Sequence, residues 1–407
     1  MRVIGLDVCR TFAEVAYLDD GVLRAGGRVE LSHAALNKYA QGLRPTDDVV
    51  LEATTNTASI AAALRPHVRR VVVANPLQVR LIAESRIKTD KIDAAILAQL
   101  YASGFLPEVW IPDERTQALR RQVARRAQIV RQRTRLKNEI HAVLAAHLIE
   151  RCPATDLFGK KGRAWLAEQP LPLDERLGIE QRLRQLDNFG EDLQAIERQL
   201  GQAVLGDDQV KRLLTINGVN INVAISLIAA IGDIGRFRSP QKLVSYFGLN
   251  PRVRQSGVHP AYHGRISKIG RSHARAMLVE AAWATAKTPG PLRSFFLRIH
   301  GRRGMQIAAV ATARKLATVV WYVLTGHQDY TWSRPALTAQ KYRALELRAG
   351  SPARKGQRGP AAEYSLREVR EKEREMLEHA ERAYARFVEG WKRRGPKPIP
   401  KIAMETS

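Results

Sequence analysis
The 407-residue sequence predicts an α/β amino-terminal domain, a long helical stalk and a mainly helical second domain. Three observations carry this. Up to Pro76, short apolar runs rich in β-branched residues alternate with helical stretches, in the order strand, strand, strand, helix, strand, helix, strand. From Asp113 the composition turns Arg-rich, with apolar residues spaced mostly three, four or seven apart. Beyond Leu205, apolar helical segments follow one another, punctuated by glycine and proline.

The elements follow in order. Arg2–Val8 reads as a buried strand and Phe12–Leu18 as a second, with Asp19-Asp20-Gly21 as the hairpin turn; Val22–Leu31 completes a meander. Ser32 caps a helix running to about Leu43. Asp48–Ala53 is a fourth strand, Thr57–His67 a helix, and Arg70–Pro76 a fifth strand ended by its proline. A later helix runs from Lys91 to Ala102. Glu114–Ile149 reads as one long helix through Leu119, Val123, Val130, Leu136, Ile140, Val143 and His147, either half of an intramolecular hairpin or of an intermolecular coiled coil. Arg151–Leu173 reads as a connection, and Asp174–Leu205 as the second stalk helix. The domain expectation is therefore 1–112, 113–206, 207–326 and, past Gly326, a basic linker, a charged helix (Tyr364–Trp391) and a disordered basic tail (Lys392–Lys401) over 327–407.

Lys and Arg number 66 against 40 Asp and Glu, giving a net charge of +26. Such an excess calls for a polyanionic partner, nucleic acid first. Two cysteines, Cys9 and Cys152, give neither a disulfide framework nor zinc spacing. Met1 leads straight into a strand rather than a signal peptide, and Ile307–Leu324 carries Arg314 and Lys315 in its middle, so it reads as a core helix rather than a membrane span. A cytoplasmic protein is expected.

Four acids stand out. Asp7 ends the first strand, Glu52 ends the fourth, and Asp90 and Asp93 open the late helix, three apart and so on one face. Strand ends and a following helix converge at one edge of such a sheet. Clustered carboxylates repel unless a cation sits among them, and with Mg²⁺ they become ligands able to assist a phosphate displacement. The bland alternative makes Asp90 an N-cap and Asp93 its N3 partner.

On Gly5-Leu-Asp-Val8, Leu51-Glu-Ala-Thr54, Asn75-Pro76 and Lys88-Thr-Asp-Lys-Ile-Asp-Ala94, the chain resembles the DEDD transposases of bacterial insertion sequences (family one-ten). The resemblance covers roughly Arg2 to Leu324. It implies a ribonuclease H-like, RuvC-like first domain with Asp7, Glu52, Asp90 and Asp93 as metal-binding acids. Leu249–Gly257 resembles the family's second signature block, which implies Ser256 as a nucleophile forming a phosphoserine link to DNA. The resemblance further implies a homo-oligomer (dimer or tetramer), donor and target DNA as substrates, and a structured guide RNA encoded beside the gene.

Cations flank that block: Arg252 and Arg254 before the serine, Arg265, Lys268 and Arg271 after it, with Ser267–Gly270 expected to open a helix. Arg126 and Arg133 on the long helix read as phosphate contacts or as a solvated face. Lys211–Asn220 followed by Val223–Ile231 resembles a helix-hairpin-helix, in which Asn217 and Gly218 would approach a phosphate; the alternative is a turn packed in a core. Two other functions remain: a metal-dependent junction nuclease without a covalent intermediate, and a non-catalytic nucleic-acid scaffold.

Overall fold
In the computed structural model, which describes residues 1–83, 89–257, 260–352 and 359–394, the first strand β1 (Arg2–Val8) is an interior strand of a mixed sheet. β2 (Phe12–Asp19) and β3 (Val22–Glu30) continue from it as an antiparallel meander. β4 (Asp48–Glu52) pairs parallel to β1, and β5 (Arg70–Ala74) parallel to β4. A short β6 (Glu108–Val109) closes the far edge, giving the order β3-β2-β1-β4-β5-β6. This mixed sheet followed by a mostly helical chain is compatible with a ribonuclease H-like domain.

Alternation along the strands sends two apolar sets to opposite faces. Ile4, Leu6, Val49, Leu51, Val71 and Val73 pack with Leu36 of α1 (His33–Gln41) and Ile60 and Leu64 of α2 (Thr57–Leu64). Val3, Val50, Val72 and Ala74 pack with Val79 of α3 (Pro76–Ile82) and Leu97 and Ala98 of α4 (Asp90–Ala102). Pro76 thus opens a short helix, with Asn75 as its N-cap, rather than only ending a strand. At the other end of the sheet, the buried carboxylates of Asp47 and Asp48 are held by Arg2 and Arg69.

The chain divides into two units, Met1–Pro112 and Asp113–Ser407. The second opens with α5 (Glu114–Ala146), α6 (Lys160–Ala167) and α7 (Leu173–Val204). α6 lies within the stretch expected to be a plain connection. α5 and α7 pack as an antiparallel pair within one chain, as their side-chain partners show by running down α7 while α5 runs up: Arg126 beside Glu197, Glu139 beside Arg182, and His147 3.8 Å from Glu175. On α5, Ile129 is buried and Val130 exposed, one position away from the expected stripe. The stripe returns to the expected positions at Leu136 and Ile140.

α8 (Asp208–Leu214), α9 (Ile221–Ile231) and α10 (Pro240–Tyr246) lead to the hairpin of β7 (Pro251–Arg254) and β8 (Tyr262–Ile266). α11 (Ser272–Ala286), α12 (Pro291–Arg303) and α13 (Met305–Thr325) close the main core with Leu213, Leu227, Phe247, Leu278, Leu316 and Val320. α13 is long and apolar enough to cross a membrane by length and composition, yet Leu316, Ala317, Val320 and Leu324 along it are buried in this core.

Past Gly326 the expectation of a flexible linker is overturned. α14 (Pro335–Arg348) docks on α7 and α8. Leu345 enters the core, Lys341 Nζ donates to the carbonyls of Leu214 (2.7 Å) and Ile216 (3.2 Å), and Gln202 Nε2 donates to Ala349 O at 3.1 Å. α15 (Pro360–Glu363) and α16 (Arg367–Arg394) follow, and Glu373 of α16 accepts from Ala336 N and Arg334 Nε at the start of α14. Lys392–Arg394 of the expected tail belong to α16, and Gly395–Lys401 lie outside the described residues.

Candidate functional site
β1 and β4 set Gly5 opposite Val50 and Leu6 opposite Leu51, and one further step brings Asp7 beside Glu52. By alternation both acids face α4. Across β1, Asp7 stands opposite Glu14 of β2. Thr89 caps α4, its hydroxyl accepting from Ile92 N at 3.4 Å, so Asp90 is the first helical residue rather than the cap. Asp90 and Asp93 occupy the first turn, where the helix dipole favours carboxylates. Arg86, Ile87 and Lys88 of the same motif lie outside the described residues.

What draws α4 to the sheet is a missing side chain. A Cβ on Gly5 would collide with the Ala94 carbonyl and crowd Ala98 N at 3.1 Å, so only glycine lets the helix lie on β1 at this depth. The consequence is local. One donor atom each from Asp7, Cys9 and Asp90 lies within 4.8 Å of the others, all three residues half-buried. Glu52 and Asp93 are also half-buried but fall outside this tight group.

Cys9, just past the end of β1, has its Sγ 3.7 Å from Asp90 Oδ2. Burial, then the neighbouring Asp90 and Asp7, push its thiol pKa up, so the thiol keeps its proton and donates to the carboxylate. Two close carboxylates need a cation, and their hard oxygens suit a divalent one; a protonated thiol is a poor ligand for Mg²⁺. Glu14 and Arg28 escaped the sequence reading. Glu14 is buried beside Asp7, and Arg28 Nε donates to it at 2.9 Å. The only clue was the cross-strand register.

In the second unit, Ser256 is exposed in the loop joining β7 to β8. Gly257 after it has φ +59°, a left-handed backbone that glycine adopts without strain, with open space around it. Arg252 and Arg254 on β7, Arg265 on β8 and Lys268 and Arg271 beyond it are all exposed, so five cations gather on and below the serine hairpin. Residues 267–270 do not open a helix as expected; α11 begins at Ser272. They instead lie along the end of α10, with Ser267 N donating to Asn250 O, Lys268 N to Gly248 O and Arg271 N to Tyr246 O. Gly270 makes this approach possible, since a Cβ there would strike Tyr246 O.

The remaining predicted contacts turn inward. Arg126 pairs with Glu197 across α5 and α7. Arg133 is half-buried, its Nε without a hydrogen-bond partner among the described residues, and its charge acts on Asp187. Asn217 is buried, donating Nδ2 to Trp332 O at 2.7 Å while its carbonyl accepts from Thr285 Oγ1. Gly218 (φ +85°) lies against α11, where a Cβ would crowd Ala281 O at 2.6 Å. Asn220 is the extended N-cap of α9, its side chain accepting from Val223 N. The turn is packed in the core, as the alternative reading has it.

Comparison with known proteins adds two family matches. Residues 4–149 match a transposase family of the DEDD, IS110 type, and residues 210–296 match the transposase IS116/IS110/IS902 family. The chain is 27% identical to a probable family 20 transposase of Pseudomonas aeruginosa over 343 residues, 80% of this chain and 98% of the relative. It is 29% identical to the transposase for insertion sequence element IS1111A of Coxiella burnetii, over 60% of this chain and 68% of that one. It is also similar to a pilin gene-inverting protein of Moraxella bovis, 26% identical over 69% of this chain and 81% of the relative.

Proposed function
Because this chain belongs to the IS110/IS116 transposases of insertion sequences, enzymes that cut and rejoin DNA, we propose that it exchanges strands through Ser256 with help from the acids of its first unit. The observation that carries this reading is the Asp7–Asp90 approach enforced by Gly5. Two carboxylates brought together repel, and a phosphate reaction coordinated by Mg²⁺ is the chemistry that uses them.

Asp7 and Asp90 would hold the ion directly, with Glu52 and Asp93 beside them on the same edge. When bound, Mg²⁺ supplies Lewis acidity and charge neutralisation at the phosphate. The Ser256 hydroxyl attacks phosphorus and loses its proton to a base, for which the carboxylates are the candidates; the departing sugar oxygen takes one up. Arg252, Arg254, Arg265 and Lys268 surround the serine with positive charge that stabilises the transferring phosphate. By family resemblance the serine and the acids come from different subunits of a dimer or tetramer, and the α5–α7 pair serves as the coiled-coil stalk of assembly. A net charge of +26 supports binding of both DNA and a structured guide RNA. The working domains are 1–112 for the acids, 113–206 for the stalk, 207–326 for the serine and 327–407 for the extension.

The test places the gene with its native flanking DNA on a plasmid in cells and sequences excised circles and new junctions. Junctions in wild type that vanish in both Ser256→Ala and Asp90→Ala are expected. Junctions surviving Ser256→Ala would move the reading to metal-only cleavage.

A further inference from the structure
A cavity of about 350 Å³ opens at the foot of the serine hairpin, between α5, α9 and the start of α11. Arg120, Arg131, Ser226, Arg271, Ser272 and His273 are among the residues lining it, and no Asp or Glu is among the described residues that do.

Two of its arginines, Arg120 and Arg271, converge behind its wall on one phenol. Tyr246 OH donates to Ala230 O at 3.1 Å and accepts from Arg271 Nε at 2.8 Å and Arg120 Nη2 at 3.3 Å. Arg120 is further fixed by donating to the carbonyls of Ala229 and Ala230, both at 2.8 Å, near the end of α9. Arg236 lies over the Tyr246 ring at 4.4 Å. Four guanidiniums thus gather within one small region, Arg120, Arg236 and Arg271 at the phenol and Arg131 on the rim. Burial opposes ionisation of the phenol, yet Arg271, Arg120 and Arg236 hold its pKa below the ordinary value. Burial, helped by Arg271 and Arg236, likewise lowers the pKa of Arg120. The carboxylates that act on this cluster include Asp233 on Arg236, Glu280 on His273, and Asp113, whose carboxyl interacts with Arg120. Among the described residues, neither Arg131 nor Arg271 is in an ion pair.

We propose that this cavity seats a backbone phosphate of the bound nucleic acid, separate from the phosphate attacked by Ser256. Planar guanidiniums present paired N–H donors that match phosphate oxygens, and a site held rigid before binding loses little entropy on filling. Arg271 sits on the segment pinned to Tyr246 and Gly248 at the hairpin's foot, so a strand held there would be held in a fixed relation to the serine loop. The choice of nucleic acid as the phosphate source rests on the function proposed above; the cavity and its charge do not.

The test is equilibrium binding of the full chain to labelled duplex DNA and to single-stranded RNA, by fluorescence anisotropy across a salt series. Arg131→Gln and Arg271→Gln are compared with wild type and with Arg271→Lys; Arg131 is exposed, so its variant folds. Each Gln variant is expected to flatten the dependence of log K on log salt by about 0.9 on duplex DNA or about 0.7 on a single strand, with Lys restoring it. The ligand on which the slope changes identifies the strand seated there. Unchanged slopes on both ligands would overturn the proposal. Because no strand exchange is measured, this outcome is independent of whether Ser256 is the nucleophile.

Discussion

Gly5 on β1 and Ala94 on α4 lie so close that any side chain at position 5 would take the place of the Ala94 carbonyl. That single approach carries the start of α4, with Asp90 and Asp93, onto the edge where Asp7 stands. Gly5→Ala should therefore destabilise the first unit by about 1–3 kcal/mol or more through overpacking, and pull Asp90 away from Asp7. Urea unfolding, followed with and without a divalent ion, checks both effects. A variant with wild-type stability and ion response would refute the role given to this glycine.

The carboxylate pair makes a prediction with a definite sign. Without metal, Asp90→Asn relieves repulsion with Asp7, so stability should hold or rise slightly. With Mg²⁺ at a hundred times its dissociation constant, the wild type should gain about 2.7 kcal/mol that the variant lacks. Thermal melts over a magnesium titration measure the difference. Equal gains in both proteins would place the ion elsewhere.

Ser256 is exposed, so its hydroxyl is not part of the core. Ser256→Ala should leave the melting temperature and DNA affinity near wild type while strand exchange falls below detection. A denaturing gel of protein with end-labelled DNA should show a covalent adduct for wild type alone.

Lys341 gives a pH dependence. Burial, with Arg334 adding, pushes its pKa down from 10.5 to about 8. Below pH 8 the ammonium is charged in folded and unfolded chains alike, and its burial cost is fully present. Between pH 8 and 10.5 the unfolded chain binds the extra proton, so this residue's contribution to stability rises with pH. Lys341→Met removes that titration. The slope of unfolding free energy against pH in this window should be smaller in the variant than in wild type; identical slopes would mean that the amine is solvated.

The sheet and its acids were readable because buried strands are short, apolar and bounded by turns, and because Asp7 and Glu52 each end one. The signature block drew attention to Ser256, but the β7–β8 hairpin that carries it was not read from the sequence. Nor were Cys9 and Glu14, since their place beside the acids depends on how deeply α4 settles and on the β1–β2 register. Arg126 and Asn217 misled for a related reason: a charged or polar residue on a helix or turn looks alike in sequence whether it meets solvent, Glu197 or Trp332. The Tyr246 cluster draws on α5, the turn after α9 and the foot of the hairpin, so no local window contains it. α14 was hidden because Gly350, Pro352 and the basic residues around them look like linker, while Leu345 and Lys341 find their partners more than a hundred residues upstream.

That seam sets the timing of maturation on the ribosome. Lys341 reaches back 127 residues to Leu214, and Ala349 reaches back 147 to Gln202. Domains that fold as units emerge first to last during synthesis. The first 112 residues can finish folding while the rest is still being made, but the second unit stays open along α7 and α8 until translation has passed Ser351. A copy of the element cut short before Pro335 would thus yield a finished acidic half joined to an unsealed serine half, with the face that receives Leu345 left bare to proteases and to self-association.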